Sequence, residues 1–117
     1  MATLTVAQSS EAGVATGDTS ANSGGDEFVN TGNEVIIAVN SHGSDNDINI
    51  TITAQTTSFT DPVLGTLTKA NQVVACNEGV TKMIGPFPPA AFNDSNGKVQ
   101  ITYSAVTSLK VGVVTIA

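Results

Sequence analysis

Residues 34–55 read EVIIAVNSHGSDNDINITITAQ, and they place two kinds of strand side by side. In the second half, Ile48, Ile50, Ile52 and Ala54 alternate with Asn49, Thr51, Thr53 and Gln55. A strand sends successive side chains to opposite faces, so Asp47 to Gln55 has one apolar face and one wet face. The first half, Glu34 to Asn40, is apolar on both faces and belongs in mid-sheet or under a neighbour. Between them, Ser41-His42-Gly43-Ser44 is a loose polar turn.

The same two patterns recur downstream. Lys98 to Ser104 points Val99, Ile101 and Tyr103 inward and Lys98, Gln100 and Thr102 outward. Leu109 to Ile116 is apolar on both faces, with Leu109, Val111 and Val113 opposite Val114 and Ile116. Weaker strands are expected at Leu4 to Ala7, Asp26 to Val29, Leu64 to Lys69, Gln72 to Cys76 and Val80 to Ile84. Thr, Val and Ile, the β-branched types that favour strands, supply 38 of the 117 residues. No window carries the i, i+3, i+4 apolar spacing of a helix. Asn96-Gly97 is a hairpin signal, because both residues tolerate the positive φ of a type I′ turn. Asn77-Glu78-Gly79 is a looser turn, and Asp61-Pro62 breaks the chain between two strand runs. Seven to nine short strands at this spacing predict an all-β fold: a single antiparallel β-sandwich, immunoglobulin-like or jelly-roll.

The first 25 residues differ from the rest. Ser9 to Gly25 (SSEAGVATGDTSANSGG) is rich in Ser, Gly, Ala and Thr. It reads as a flexible lead, as an arm ordered against a partner, or as a loosely packed surface loop. The expected division is therefore an extended N-terminal arm and connector over 1–25 and a sandwich domain over 26–117. The alternating Leu4 and Val6 suit an arm that adds a strand to a partner's sheet edge, so Thr3, Leu4, Thr5 and Val6 are interface candidates.

Composition narrows the function classes. Ten acids against four lysines, with no arginine, give a net charge of −6. Such a surface repels a phosphate backbone, so no nucleic-acid partner is expected. It suits solubility, or a basic partner surface. No run approaches the ~20 apolar residues of a membrane helix, and MATLTVAQSS lacks the features of a signal peptide, so the expectation is a protein made in a cytoplasm with no membrane partner. Cys76 is alone and His42 is the single histidine, which leaves no internal disulfide and too few ligands for a zinc site. No lysine or histidine adjoins Cys76, so a small buried or half-buried residue is expected there.

Chemistry-bearing clusters are sparse. Ser41, His42 and Asp45 lie too close in one turn to converge on a substrate as a triad. Asp45-Asn46-Asp47-Ile48-Asn49 resembles the start of a calcium loop, but Ile50 stands where glycine is needed and no glutamate follows at the twelfth position, so it reads as a polar turn. No catalytic residue, metal ligand or cofactor is expected, and the chain reads as a non-enzyme. Gly85-Pro86-Phe87-Pro88-Pro89 is stiff, since each proline locks φ and removes an N–H. It can present Phe87 as a rigid ledge, or Phe87 and Phe92 can plug the sandwich end, each burial contributing ~2–3 kcal/mol. Both hold if Phe87 points in and the prolines face out.

The run from Ile84 to Val114, IGPFPPAAFNDSNGKVQITYSAVTSLKVGVV, resembles the C-terminal part of decoration (cement, head-stabilising) proteins of tailed-bacteriophage capsids. The similarity rests on Ile84 to Pro89, Phe92 to Asp94, Gly97 to Val99, Thr102 to Ser104 and Leu109 to Val114. Upstream, Ala12-Gly13-Val14 and Gly25 to Thr31 fit the same layout. The resemblance implies a structural protein on the outer surface of the virion, bound to the major capsid protein, bridging and stabilising capsomers. It implies a homo-oligomer, with a trimer favoured over a dimer. Pro86, Phe87, Pro88, Pro89, Val114 and Ile116 then join the interface candidates. The alternative is an immunoglobulin-like binding or display module for host-surface attachment, which the few aromatics count against.

Overall fold

The computed structural model describes residues 2–16, 18–43, 47–55, 58–63, 65–68 and 70–115. Strand accounts for 46% of the chain and helix for 4%, so the all-β expectation holds. The strands are β1 (Ala2–Thr3), β2 (Val6–Gln8), β3 (Thr19–Ser20), β4 (Asp26–Val29), β5 (Glu34–Asn40), β6 (Ile48–Ile52), β7 (Ser58–Asp61), β8 (Gly65–Thr68), β9 (Gln72–Cys76), β10 (Thr81–Ile84), β11 (Lys98–Tyr103) and β12 (Leu109–Thr115). One helical turn, α1 (Pro89–Phe92), begins on a proline and is too short to leave a helical period in the sequence.

The first sheet has the order β1-β4-β11-β6-β9 and the second β10-β5-β12-β2, with β3 also paired to β12. β7 and β8 form a separate hairpin turning at Pro62 and Val63, as the Asp61-Pro62 break predicts. The alternation read in Asp47 to Gln55 decides the first sheet: Ile48, Ile50 and Ile52 are fully buried and Asn49 is exposed. Val99 and Ile101 do the same from β11, which pairs with β6. The two strands apolar on both faces, β5 and β12, pair along seven residues inside the second sheet and send Ile36, Ala38, Leu109, Val111 and Val113 inward. The two sets merge into one core, which also buries Phe28.

The expectation of purely antiparallel pairing is corrected. β1 runs parallel to β4 and β2 parallel to β12, which makes both sheets mixed. The cause is the path of the N-terminal segment. It runs along the first sheet, drops Leu4 into the core at 5% exposure, and continues in one direction on the second sheet. The expected strand Leu4 to Ala7 is therefore two shorter strands on either side of that crossing. Residues 18–25, from the stretch read as a lead, arm or loop, supply β3 and bury Ala21 in the common core.

Asn96-Gly97 does not close a hairpin. It links α1 to β11, and of the pair only Gly97 has a positive φ, at 74°. Asp94 organises this turn: its Oδ1 accepts from the backbone N–H groups of Asn96 (2.8 Å) and Lys98 (3.1 Å). Cys76 is buried as expected, and burial pushes its thiol pKa up.

Because Leu4 ties the N-terminal segment to the body, Leu4→Ala is expected to lower unfolding free energy by about 2–4 kcal/mol in urea titrations. Unchanged stability would mean that this segment is not part of the folded body.

Candidate interaction face

The outer faces of the two sheets have opposite chemistry. On the first sheet, Glu27 accepts from Lys98 Nζ (3.0 Å), Gln100 Nε2 (3.1 Å) and Thr3 Oγ1 (3.1 Å), and Gln100 also donates to Asp94 Oδ2 (2.7 Å). Hydrogen bonds from Gln100 and Lys98 hold the Glu27 carboxyl below its ordinary pKa, and the Lys98 and Asn96 backbone N–H groups do the same for Asp94. That face carries a solvated polar net, with Val29 and Val73 exposed beside it.

The second sheet has no such net. Ile36, Ala38 and Asn40 of β5 point to the core, so alternation sends Val35, Ile37 and Val39 outward. Register sets Met83 beside Ile37, and Val114 beside Val35 with Ala7 on its other side. Met83 is 69% exposed, Ile37, Val39 and Ala7 are half-buried, and Val35 and Val114 are largely covered. An apolar strip thus crosses four strands, from β10 through β5 and β12 to β2, with Thr81 and Lys110 flanking Val39 on the same face.

The proline loop borders this face. Gly85 follows β10 with φ +125°, and an added Cβ would lie 3.0 Å from the Glu34 carbonyl oxygen and 3.3 Å from Val35 Cα. The loop packs inward through Phe87, whose ring meets Phe28 at 6.2 Å and Phe92 at 5.5 Å between centroids, within the range of favourable aromatic pairs. Pro86, Pro88 and Pro89 are exposed. The expectation of Phe87 inside and prolines outside is met.

Buried polar groups brace the loop. Asn30 donates to the Phe87 carbonyl (3.1 Å) and to Asn93 Oδ1 (2.7 Å), and Asn93 Nδ2 donates back to the Asn30 carbonyl (2.9 Å). Glu34 is buried beside it and accepts from the Thr31 N–H, the Thr31 hydroxyl (2.8 and 3.0 Å) and the Asn33 N–H (3.3 Å). Burial raises the Glu34 pKa, but these hydrogen bonds outweigh it and leave the carboxyl below its ordinary value.

The structure brings some predicted interface residues together and not others. Val114 faces outward at the end of the second sheet that also carries Gly85 and Pro86, whereas Val6 pairs with inward Val113 and packs against the core. Thr3 belongs to the polar face, Leu4 and Phe87 are core, and Thr5 is exposed at the crossing. Ile116 lies outside the described residues, as do Asp45 and Asn46 of the polar turn. The His42 N–H donates to Asn40 Oδ1 (3.2 Å). Met83, Ile37 and Val39 were missing from the expected set. The signal for the last two was present in the unbroken apolar run of β5, and Met83 gained its place only from register. No family model matches the chain, and no curated protein or solved structure matches it either.

Gly85→Ala is expected to cost about 1–3 kcal/mol, from the positive φ together with the Glu34 contact, and to lower the thermal midpoint. A second expectation concerns acid. The Glu34 carboxyl, depressed from an ordinary 4.5, contributes stability that is complete above that value and is lost as pH falls through its folded pKa. Glu34→Gln should be less stable at neutral pH and lose less stability on acidification. A variant with the parent's full acid sensitivity would remove Glu34 from this role.

Proposed function

We propose that the protein is a structural module that adheres through the outer face of its second sheet, and that it decorates a phage capsid. The observation that carries this reading is the contrast between the two outer faces. Contiguous apolar surface on a small domain marks an interaction site; on the first sheet the exposed Val29 and Val73 each pair with a polar residue, Lys98 and Thr51, whereas on the second sheet apolar residues adjoin one another and exposed prolines edge them. Rigid prolines reduce the ordering entropy a contact must overcome.

The strand order supports a β-sandwich of jelly-roll type. With the N-terminal pair and the β7–β8 hairpin set aside, the orders are β3-β12-β5-β10 and β4-β11-β6-β9. Every connection from β3 to β12 then changes sheet except β6 to β9, which is the pattern of two Greek keys. An immunoglobulin sandwich keeps several hairpins within one sheet. Jelly rolls serve in viral shells and also in lectins, so this is fold-level analogy. The capsid reading rests further on the resemblance of the run from Ile84 to Val114 to head-decoration proteins. In this reading the partner is the major capsid protein, the location is the outer surface of the virion, and a homo-oligomer, trimer before dimer, multiplies weak contacts. The display alternative is disfavoured by the described aromatic side chains: Phe28, Phe87 and Phe92 are buried, and Tyr103 is half-buried with its hydroxyl donating to Asp26.

Sedimentation of the purified protein with expanded empty phage heads tests the proposal. Co-sedimentation in a fixed ratio to the shell subunit is expected, and Met83→Asp should weaken it about tenfold or more while preserving the thermal midpoint. No co-sedimentation, or retention on host-surface glycan instead, would overturn it.

A further inference from the structure

An open sheet edge is a template for another strand unless it is short, charged or blocked by proline. Three of the four outer edges of the two five-stranded sheets are guarded in these ways. β1 is two residues long, and β2 and β3, which share an edge, are three and two. β10 carries Lys82 opposite Ala38, on its inward-facing side, and runs on to Pro86. The fourth edge, β9, is five residues long and has no lysine, proline or glycine. From 70 to 77 the chain reads ANQVVACN, without a charge, in a protein of net charge −6. Gln72, Val73 and Ala75 are exposed, and Val74, which packs against the core, is only half-buried.

The direction of the free main-chain groups on β9 follows from β6. The Asn49 N–H donates to Ser104 Oγ (2.8 Å), the Asn49 carbonyl accepts from the Ser104 N–H (3.0 Å), and the Thr53 N–H donates to the Gln100 carbonyl (3.0 Å). Odd-numbered residues here thus turn their main chain to β11. Even-numbered ones turn theirs to the β9 side, as the Ala54 N–H does to Asn71 Oδ1 (2.9 Å). Ile50 lies opposite Val74 and Ile52 opposite Gln72, which commits the main chain of Val74 and Gln72 to β6. Val73 and Ala75 are left aiming both N–H and C=O out of the edge. Among the described residues none pairs with these groups.

We infer that β9 is the contact between two copies of this chain, paired antiparallel about a two-fold axis at Val74. That register sets Val73 of each copy opposite Ala75 of the other, and each such pair exchanges two N–H to C=O bonds. Every free group of Val73 and Ala75 then has a partner. A one-residue shift would set Val73 against Val74, whose main chain is already used. Val74 falls at a non-hydrogen-bonded position, where side chains come closest, with Cα atoms about 4.5 Å apart. The two half-buried valines therefore cover one another. Charge favours a second copy as the occupant: two acidic chains repel least where charge is absent, and Asn49 and Thr51 of β6 keep the neighbouring outer face uncharged as well. The contact favours the dimer over the trimer that the family resemblance implies, and it stands without the adhesive reading. An axis normal to the sheet leaves both second sheets on the same side, so both apolar strips face one surface and bind it together.

The isolated full chain tests this by sedimentation velocity over about 1 μM to 1 mM, with amide exchange read residue by residue. A dimer is expected. The Val73 and Ala75 amides should be protected in it and exchange freely on dilution, while Val74 stays protected. Ala75→Pro removes a donor that only the second copy uses. It should stay folded, with dispersed amide shifts, and raise the dimer dissociation constant at least about tenfold. Val73→Lys, a charge at an exposed edge position, should do the same and serves if proline disturbs the fold. Met83→Asp should leave the dimer intact. A monomer up to 1 mM, a trimer, a dimer kept by the folded edge variants, or a dimer lost in Met83→Asp would overturn the inference. So would protection of Val73 and Ala75 on shells alone, which would give the edge to a strand of the capsid.

Discussion

The pairing of β5 with β12 is the contact from which the rest of the molecule is built. Seven consecutive residue pairs, from Asn40 with Leu109 to Glu34 with Thr115, join two strands that are apolar on both faces. One face of this pair closes the core against β6 and β11. The other cannot be satisfied by the same core, because alternation aims it the opposite way. The apolar outer surface is thus a consequence of sequence composition in the two central strands, and the neighbours on either side, β10 and β2, extend it rather than cover it.

Polar burial at one end of that pair holds the edges of the surface. Glu34 begins β5 and gathers the Thr31–Asn33 turn, while the reciprocal Asn30–Asn93 bonds fix the loop that carries Phe87. Gly85 lies where those two arrangements meet, with no room for a side chain. The exposed prolines are therefore set in place by their aromatic neighbour on the inside. Rigidity and adhesion belong to one short stretch, and a change in the buried part is transmitted to the exposed part.

Much of the fold was legible in the sequence because side-chain period and strand period coincide. β4, β5 and β9 have the expected bounds, and the inward sets of β6 and β11 are the expected ones. What was not legible depends on length or on tertiary register. β1 and β3 are two residues each, and α1 is a single turn, all too short for a period to register. Parallel pairing of the N-terminal strands follows from the path across the core at Leu4, which no local pattern encodes. The Asn96-Gly97 turn was misread as a hairpin because its geometry is set by the Asp94 carboxylate two residues earlier. For the interface, Pro86 and Val114 were among the expected residues, but Met83 is placed only by its pairing with Ile37.

The claim that adhesion uses the second sheet's outer face, and not the polar first sheet, is tested most directly by hydroxyl-radical labelling read residue by residue, free and bound to assembled shells. Met83 and Val39 should lose reactivity on binding, while Val73, exposed on β9 of the first sheet, should keep it. Protection of Val73 with Met83 still fully reactive would contradict the account.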